Sequence, residues 1–575
     1  MKTIKGTALA PGIAHGKAFV IACAEDTVAA QRRIDPAEVA DELKRFDDAV
    51  ARAERDLHAL EQRIRQEVGG READIFGAQA LVAADPGFRE QVHAAVRDRR
   101  RNAEAAVAEI IERFTRAFDE IPDPHLRERA ADVRDVGRRI LTILSAGEAV
   151  EACMIPEDAV IVAEELLPSA TARLELNRAR AFVTERGGKF SHAAILARSL
   201  GTPAVGGIAG AMREIRTGDR LIVDGVSGLV FVDPEARVEG EYDRLEGEMR
   251  TYREALRELI DLPSVTLDGM SIPLLANVSK YADTEAAWLF KADGIGLYRT
   301  EFGFSVRGEF PSEDEQYEFL KRAAERFHPR PVVFRLLDIG GDKDLPYFRL
   351  PHTRNPSLAQ RGIRLLLQHG DVLRSQLRAF LRVSADHPVS ILVPMVTDIE
   401  DVRRTRAIVQ QVQAELTAER RPFNAQIPVG AMIEVPAAAL LARRLAQEVD
   451  FFSLGTNDLV QYLLAADRED ESVAPAYQPS HPAVLQLIQS LAEAARSARR
   501  ELTICGEMAG DPRYTALLVG LGLRSFSVAP GEMLAVKNAL RRTRIDVAEG
   551  LARQALELAS VAEIEALLGP VGQGA

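Results

Sequence analysis

The sequence predicts a multidomain α/β protein that carries an all-helical block and ends in a (β/α)8 barrel. Three observations predict it. Apolar residues recur at helical spacing through residues 39–64. After residue 158 short apolar runs bounded by loops replace that spacing. From residue 272 onward eight such runs alternate with helix-capable segments, the rhythm of a parallel barrel. With 575 residues the chain has room for three or four domains of roughly 150 residues each.

Composition narrows the class. Hydrophobic residues make up 47% and charged residues 28%, as in ordinary soluble proteins. Lys and Arg total 73 against 86 Asp and Glu, a net charge of −13. That balance argues against a dedicated nucleic-acid or anionic-membrane binder. Cys23, Cys153 and Cys505 are too few and too scattered for a disulfide framework or a cysteine-rich zinc site, and they suit a reducing compartment. The opening MKTIKGTALAPG lacks the apolar core of a signal peptide. No run approaches the ~18 apolar residues that span a bilayer. A cytoplasmic enzyme without membrane insertion is expected.

The elements follow in order. Residues 1–20 read as extended chain with a turn at Pro11-Gly12. Val39, Leu43, Phe46, Val50, Ala53, Leu57, Leu60 and Ile64 form a heptad seam on one long helix, which Gly69-Gly70 breaks. Further helices are expected over 71–84, over 87–118 and after Pro122 and Pro124, making 22–146 a bundle of helical hairpins. AVIVAEEL and RAFVTERGG read as strands ending in loops, SHAAILARSL as a helix, and DRLIVDGVSGLVFVDP as a hairpin turning at Ser227-Gly228. Residues 234–262 read as an exposed connecting helix, being highly charged with sparse apolar positions. Barrel strands are expected at 272–278, 293–299, 331–337, 389–396, 427–434, 450–455, 501–507 and 525–530. By count alone, an open doubly wound sheet is the structural alternative.

In a barrel, chemistry belongs at the C-terminal ends of the strands. Arg299, Arg335, Glu434, Asn457, Asp458, Cys505 and Glu507 fall there, with Arg361 and Arg468 in the segments that follow. A lone strand-end arginine is ordinarily a surface ion pair. Several at one end supply forked donors for phosphate or carboxylate. Glu434 and Asp458 are hard oxygen ligands suited to Mg²⁺ or Mn²⁺. Cys505 alone reads as a small buried hydrophobe. In GGKFSHAAILARSL, Ser191 is a plausible N-cap and places His192 in a helix's first turn, where amides and the dipole favour an anion. Neutral imidazole there is a competent phosphoryl acceptor. By itself such a histidine is more often a cap or a surface group.

GGKFSHAAILARSLGTPAVGG resembles the phosphohistidine segment of phosphoenolpyruvate-utilising enzymes. GIGLYRTEF, RLLDIGGDKDLPY, NPSLAQRGIR, GAMIEVPAAA, DFFSLGTNDLVQYLLAADR and CGEMAGDP narrow the resemblance to the enzyme I branch of bacterial phosphoenolpyruvate–sugar phosphotransferase systems. It extends from APGIAHG to the C-terminus. It implies that His192 carries the phosphoryl group. Arg299 and Arg335, with Arg361 nearby, would bind the substrate phosphate, and Asn457 and Arg468 would contact substrate. Glu434 and Asp458 would hold Mg²⁺, and Cys505 would protonate the enolpyruvate carbon. The implied domains are a swivelling phosphohistidine α/β domain (1–21 and 147–230), an inserted helical docking domain (22–146), a linker helix (231–262) and a substrate-binding, dimerising barrel (263–575). The implied partners are an HPr-like phosphocarrier and a second copy of the chain.

Two departures stand out. Phe190 replaces a residue that is usually small in the family, commonly Thr. The docking stretch 69–90 has Gly69, Gly70, Arg71, Gln79 and Gly87 where acidic and histidine side chains are usual. Phe76, Leu81 and Phe88 offer an apolar patch there, although helix-packing core is the commoner role of such residues. The departures leave room for a regulatory phosphoprotein that senses phosphoenolpyruvate and has a different partner. A phosphoenolpyruvate synthase or pyruvate phosphate dikinase fits less well, because no nucleotide-binding segment remains to be assigned.

Overall fold

The computed structural model describes residues 1–21, 32–67, 85–119, 158–166, 178–187, 202–305, 309–341, 355–468 and 473–569, with isolated positions between these spans. Two compact units result, Met1–Tyr252 and Arg253–Ala575.

The first unit contains an eight-stranded sheet. Its strands are β1 (Lys2–Lys5), β2 (Thr7–Ala10), β3 (Ile13–Ile21), β4 (Ala159–Ala163), β5 (Ala179–Thr184), β6 (Ala204–Gly206), β7 (Arg220–Asp224) and β8 (Leu229–Val232), in the order β1-β8-β7-β3-β4-β5-β6-β2. β3, β4, β5 and β6 run parallel. β4 (AVIVA) is buried at every residue, as a central strand covered on both faces must be. Alternate residues feed two apolar clusters: Ile161 and Phe182 on one face, Val160, Val162 and Val183 on the other. Ala194 and Ala197, three apart in the predicted helix, are buried in the first of these. β7 and β8 are the expected hairpin, and Asp224 closes its turn by accepting the Val226 and Ser227 N–H groups.

The heptad helix spans Val39–Glu67, with Phe46, Val50, Ala53 and Leu57 fully buried. The helix expected over 87–118 is two helices, Pro86–Arg99 and Ala103–Asp119. The break comes at Arg100, which adopts a left-handed conformation, and at Asn102. Asn102 exchanges backbone and side-chain hydrogen bonds with Arg32 and the Ile34 N–H donates to the Arg100 carbonyl, so a tertiary contact ends one helix, while Glu42 accepts the Ala103 N–H that starts the next. No glycine or proline marks the spot. Phe88 is buried edge-on to Phe46 and belongs to the core, not to a surface patch. The expected helix 71–84, its Gly69-Gly70 break, and Phe76, Gln79 and Leu81 lie outside the described residues, apart from a buried helical Ala83. A connecting helix occupies Ala236–Arg257.

The second unit is a closed parallel barrel, which excludes the open sheet. Its strands are β9 (Leu274–Val278), β10 (Ile295–Arg299), β11 (Val332–Arg335), β12 (Val389–Val393), β13 (Val429–Ile433), β14 (Phe451–Leu454), β15 (Glu501–Ile504) and β16 (Phe526–Val528), with β16 pairing back to β9. Alternation sorts their side chains. Phe334, Ile391, Ile433, Phe452 and Ile504 join the large core against the helices. Leu297, Leu392, Met432 and Cys505 form a separate cluster inside the barrel. Gly430 makes room for a neighbour there, since a Cβ would lie 2.4 Å from the Phe451 ring. At the N-terminal ends of the strands lies a cavity of about 390 Å³, lined in part by Ser390, Phe451, Ser453 and Thr503. No helix among the described residues is long and apolar enough to cross a membrane.

Candidate active site

The C-terminal ends of the strands bring most of the expected residues together. Arg299 ends β10 and Arg335 ends β11, and the two are direct partners in the strand register. Glu434 follows β13, and Cys505 follows β15. Asn457 and Asp458 occupy the first turn of helix Thr456–Leu464, directly after β14. Arg361 comes from the β11–β12 connection and is only 1% exposed. It is set by a local pairing of Gly340 with Arg361. Gly340 has φ +99°, and a Cβ there would lie 2.2 Å from the Gln360 carbonyl oxygen. Only glycine meets both demands.

An ion network joins these groups. Arg361 donates from Nε and Nη2 to the two oxygens of Asp338, at 3.0 and 2.9 Å. It also donates from Nη1 and Nη2 to Asp458, at 3.1 Å each. Arg335 donates to Glu301 Oε1 at 2.9 Å and lies 3.4 Å from Asp338. Glu301 Oε1 also accepts the Asp338 N–H. Burial pulls both guanidinium groups down, but surrounding carboxylates outweigh it and hold them above their ordinary values. Glu434 is 1% exposed and accepts the Met395 N–H at 2.6 Å. Burial first, then Asp458 and Asp338, push its carboxyl up to about 7. Glu434 therefore carries the part of the network's negative charge that the two arginines do not offset.

The other expected residues form a second group at the same mouth. Asn457 donates to Glu507 Oε1 at 2.9 Å and accepts the Glu507 N–H at 2.7 Å, while Arg468 lies 3.8 Å from the same carboxylate. Arg299 is half-buried and its guanidinium makes no hydrogen bond or ion pair among the described residues, which leaves its fork for a ligand. Cys505 is 2% exposed and sits deeper in the barrel. Burial, eased by a hydrogen bond from Ser453, pushes its thiol up to about 11, so it is a protonated acid at neutral pH. Glu301, Asp338 and Ser453 escaped the sequence reading. The first two lie two and three residues beyond a strand-end arginine, so extending the strand-end rule by one turn would have found them. His192, Ser191 and Phe190 lie outside the described residues. The strand leading to them, β5, ends at Thr184, inside the expected RAFVTERGG run.

Comparison with known proteins agrees with this geometry. Three family profiles match: the PEP-binding domain of PEP-utilising enzymes over residues 253–545, the N-terminal domain over 5–129, and the mobile domain over 155–228. A phosphoenolpyruvate-protein phosphotransferase of Bacillus sp. (strain S) is 39% identical over 98% of this chain and 97% of its own. Proteins of the same name from Haemophilus influenzae and Bacillus subtilis are each 38% identical, over 98% and 99% of both chains respectively. By its barrel, its strand-end residues and this kinship along its whole length, the chain belongs to the PEP-utilising enzyme family.

Proposed function

We propose that this chain is a phosphoenolpyruvate–protein phosphotransferase. It moves the phosphoryl group of phosphoenolpyruvate to His192, releases pyruvate, and passes the group to a histidine of an HPr-like carrier, the first step of a sugar phosphotransferase system. One observation supports this reading above others: unpaired Arg299, buried Arg335 and a protonated Cys505 share a mouth with a surplus of buried carboxylate. Phosphoryl transfer asks chiefly for positioning and charge neutralisation. In the forward step the bond from phosphorus to the enol oxygen breaks, and a bond to the His192 ring nitrogen forms. The Cys505 S–H proton passes to the enolate carbon, leaving pyruvate and a thiolate. Arg299 and Arg335, with Arg361 behind them, bind and orient the phosphate, and Asn457 and Arg468 hold the rest of the substrate.

The residues fit a divalent cation, Mg²⁺ with Mn²⁺ as a substitute. Glu434 and Asp458 are hard ligands, and like-charge crowding at Glu434 is what such an ion relieves. No group of three or more His, Cys, Asp or Glu gathers for a metal among the described residues. Two protein carboxylates completed by substrate oxygens is the usual Mg²⁺ arrangement. When bound, the ion adds charge neutralisation at the phosphate and carboxylate.

The domain plan goes with the function. Residues 1–21 and 147–230 act as the swivelling phosphohistidine domain, 22–146 as the inserted docking domain, 231–262 as the linker, and 263–575 as the substrate-binding barrel through which the chain dimerises in the cytoplasm. Labelled phosphoenolpyruvate with Mg²⁺ should give an acid-labile, alkali-stable phosphoprotein that discharges to an HPr-like protein. Undiminished label in His192→Ala would overturn the reading.

A further inference from the structure

We infer that Ser453 is a positioning residue for the Cys505 thiol, holding the sulfur for proton delivery and stabilising the thiolate that delivery leaves behind. This rests on the proposed role of Cys505 and extends it to a residue with no part in binding phosphate or metal.

Ser453 lies on β14 with its side chain inside the barrel, 1% exposed. Its hydroxyl donates to Cys505 Sγ at 3.2 Å, while the thiol itself donates to the Leu454 carbonyl oxygen at 3.4 Å. The cysteine backbone is pinned on both sides. Its N–H donates to the Leu454 carbonyl oxygen at 3.0 Å, and its carbonyl accepts Asn277 Nδ2 at 2.9 Å. Asn277 is in turn held by Ser527, whose hydroxyl donates to its Oδ1 at 2.7 Å. With the backbone fixed, the remaining freedom is rotation of the side chain, and the Ser453 contact restrains it.

Leu297, Leu392 and Met432 pack with it, and Arg299, Arg335 and Glu434 act on it only through charge, without a hydrogen bond. A thiolate in such a setting is expensive unless a donor faces it. Ser453 faces it already, so no reorganisation is needed when the charge forms. Thr503, the hydroxyl on β15, donates instead to Ser525 Oγ at 2.9 Å.

Ser453 also borders the cavity at the opposite end of the barrel, with Ser390 and Thr503. Ser453 thus lies between the sulfur and a cavity whose lining includes two further hydroxyls. This arrangement offers the thiolate a route to recover its proton. After the S–H bond breaks and the C–H bond of pyruvate forms, the Ser453 O–H proton passes to sulfur. A solvent water in the cavity gives a proton to Ser453 Oγ, and the hydroxide left is neutralised by buffer. Net, one solvent proton replaces the one given to carbon.

The test is exchange of pyruvate methyl hydrogens for deuterium, catalysed by the full-length protein with Mg²⁺ and followed by proton NMR. Ser453→Ala should slow exchange about 10- to 100-fold, as expected for losing a hydrogen bond to a developing charge, with the KM for pyruvate unchanged. Ser453→Thr, which keeps the hydroxyl, should recover most of the rate. The cysteine S–H infrared band, isolated by subtracting Cys505→Ala, should shift in Ser453→Ala and not in Ser453→Thr. Correct folding is checked through fluorescence of Trp288. If Ser453→Ala exchanges like wild type with an unmoved band, the inference fails while Cys505 keeps its role. Should wild type and Cys505→Ala exchange equally, the role of Cys505 itself falls and this inference with it.

Discussion

Replacing Arg361 by Met tests the ion network most directly. Arg361 is 1% exposed and bridges two carboxylates through four hydrogen bonds, two to Asp338 and two to Asp458. Asp338 is fully buried, and Glu434 adds a third acidic group nearby. Met keeps the bulk and the unbranched stem but removes the charge. Removing one partner of a buried pair leaves the other uncompensated, which costs about 3–5 kcal/mol. Here Asp458 loses both its bonds while Asp338 keeps Arg335 at 3.4 Å, so the lower part of that range is expected. The sequence has a single tryptophan, Trp288, packed edge-on against Phe327 at 5.6 Å inside the barrel unit. Its fluorescence in urea therefore reports barrel unfolding alone, and Arg361→Met should lower the midpoint without changing the slope. Adding Asp338→Asn removes one of the two acids Arg361 had bridged and should restore on the order of 1 kcal/mol, a coupling typical of contacting residues. A loss below about 1 kcal/mol for Arg361→Met, as for an exposed pair, would refute the assignment of Arg361 as the buried keystone.

Other outcomes follow from the same structure. Arg299→Met touches no bonded partner among the described residues, so barrel stability should hold while the KM for phosphoenolpyruvate rises about 10- to 100-fold, the worth of a charge-assisted hydrogen bond, in a coupled pyruvate assay. Cys505 has a native thiol raised to about 11 from an ordinary 9.0. The unfolded chain therefore loses this proton first, so full stability holds below pH 9 and roughly 3 kcal/mol is lost as pH rises through 11. Cys505→Ala should flatten that alkaline decline in urea midpoints measured across the interval. Gly430→Ala drives a methyl into the Phe451 ring and should cost about 1–3 kcal/mol by the same fluorescence, with recovery in Gly430→Ala/Phe451→Leu.

Much of this protein is legible in its sequence alone. Eight apolar runs at regular spacing specify eight buried parallel strands, because a strand covered on both faces must be apolar throughout. Strand ends then locate the chemistry, since side chains there face the barrel mouth whatever the helices outside do. Arg299, Arg335, Glu434 and Cys505 were identifiable on that ground alone. The heptad from Val39 was equally plain, because local periodicity needs no partner to be read.

Tertiary structure decided what depends on contacts distant in sequence. Barrel closure itself is one case: β16 pairs with β9 across some 250 residues, and pattern counting cannot separate that from an open sheet. The helix break at Arg100–Asn102 is another, imposed by Arg32 and not by a local breaker. Asp338 and Ser453 are the clearest. One is an ordinary acid and the other an ordinary serine until folding buries Asp338 against Arg361 and turns Ser453 onto the Cys505 sulfur. Sequence carries residue chemistry and local period. Which charges lose their water, and which hydroxyl meets which sulfur, is set only when separate strands close on one lumen.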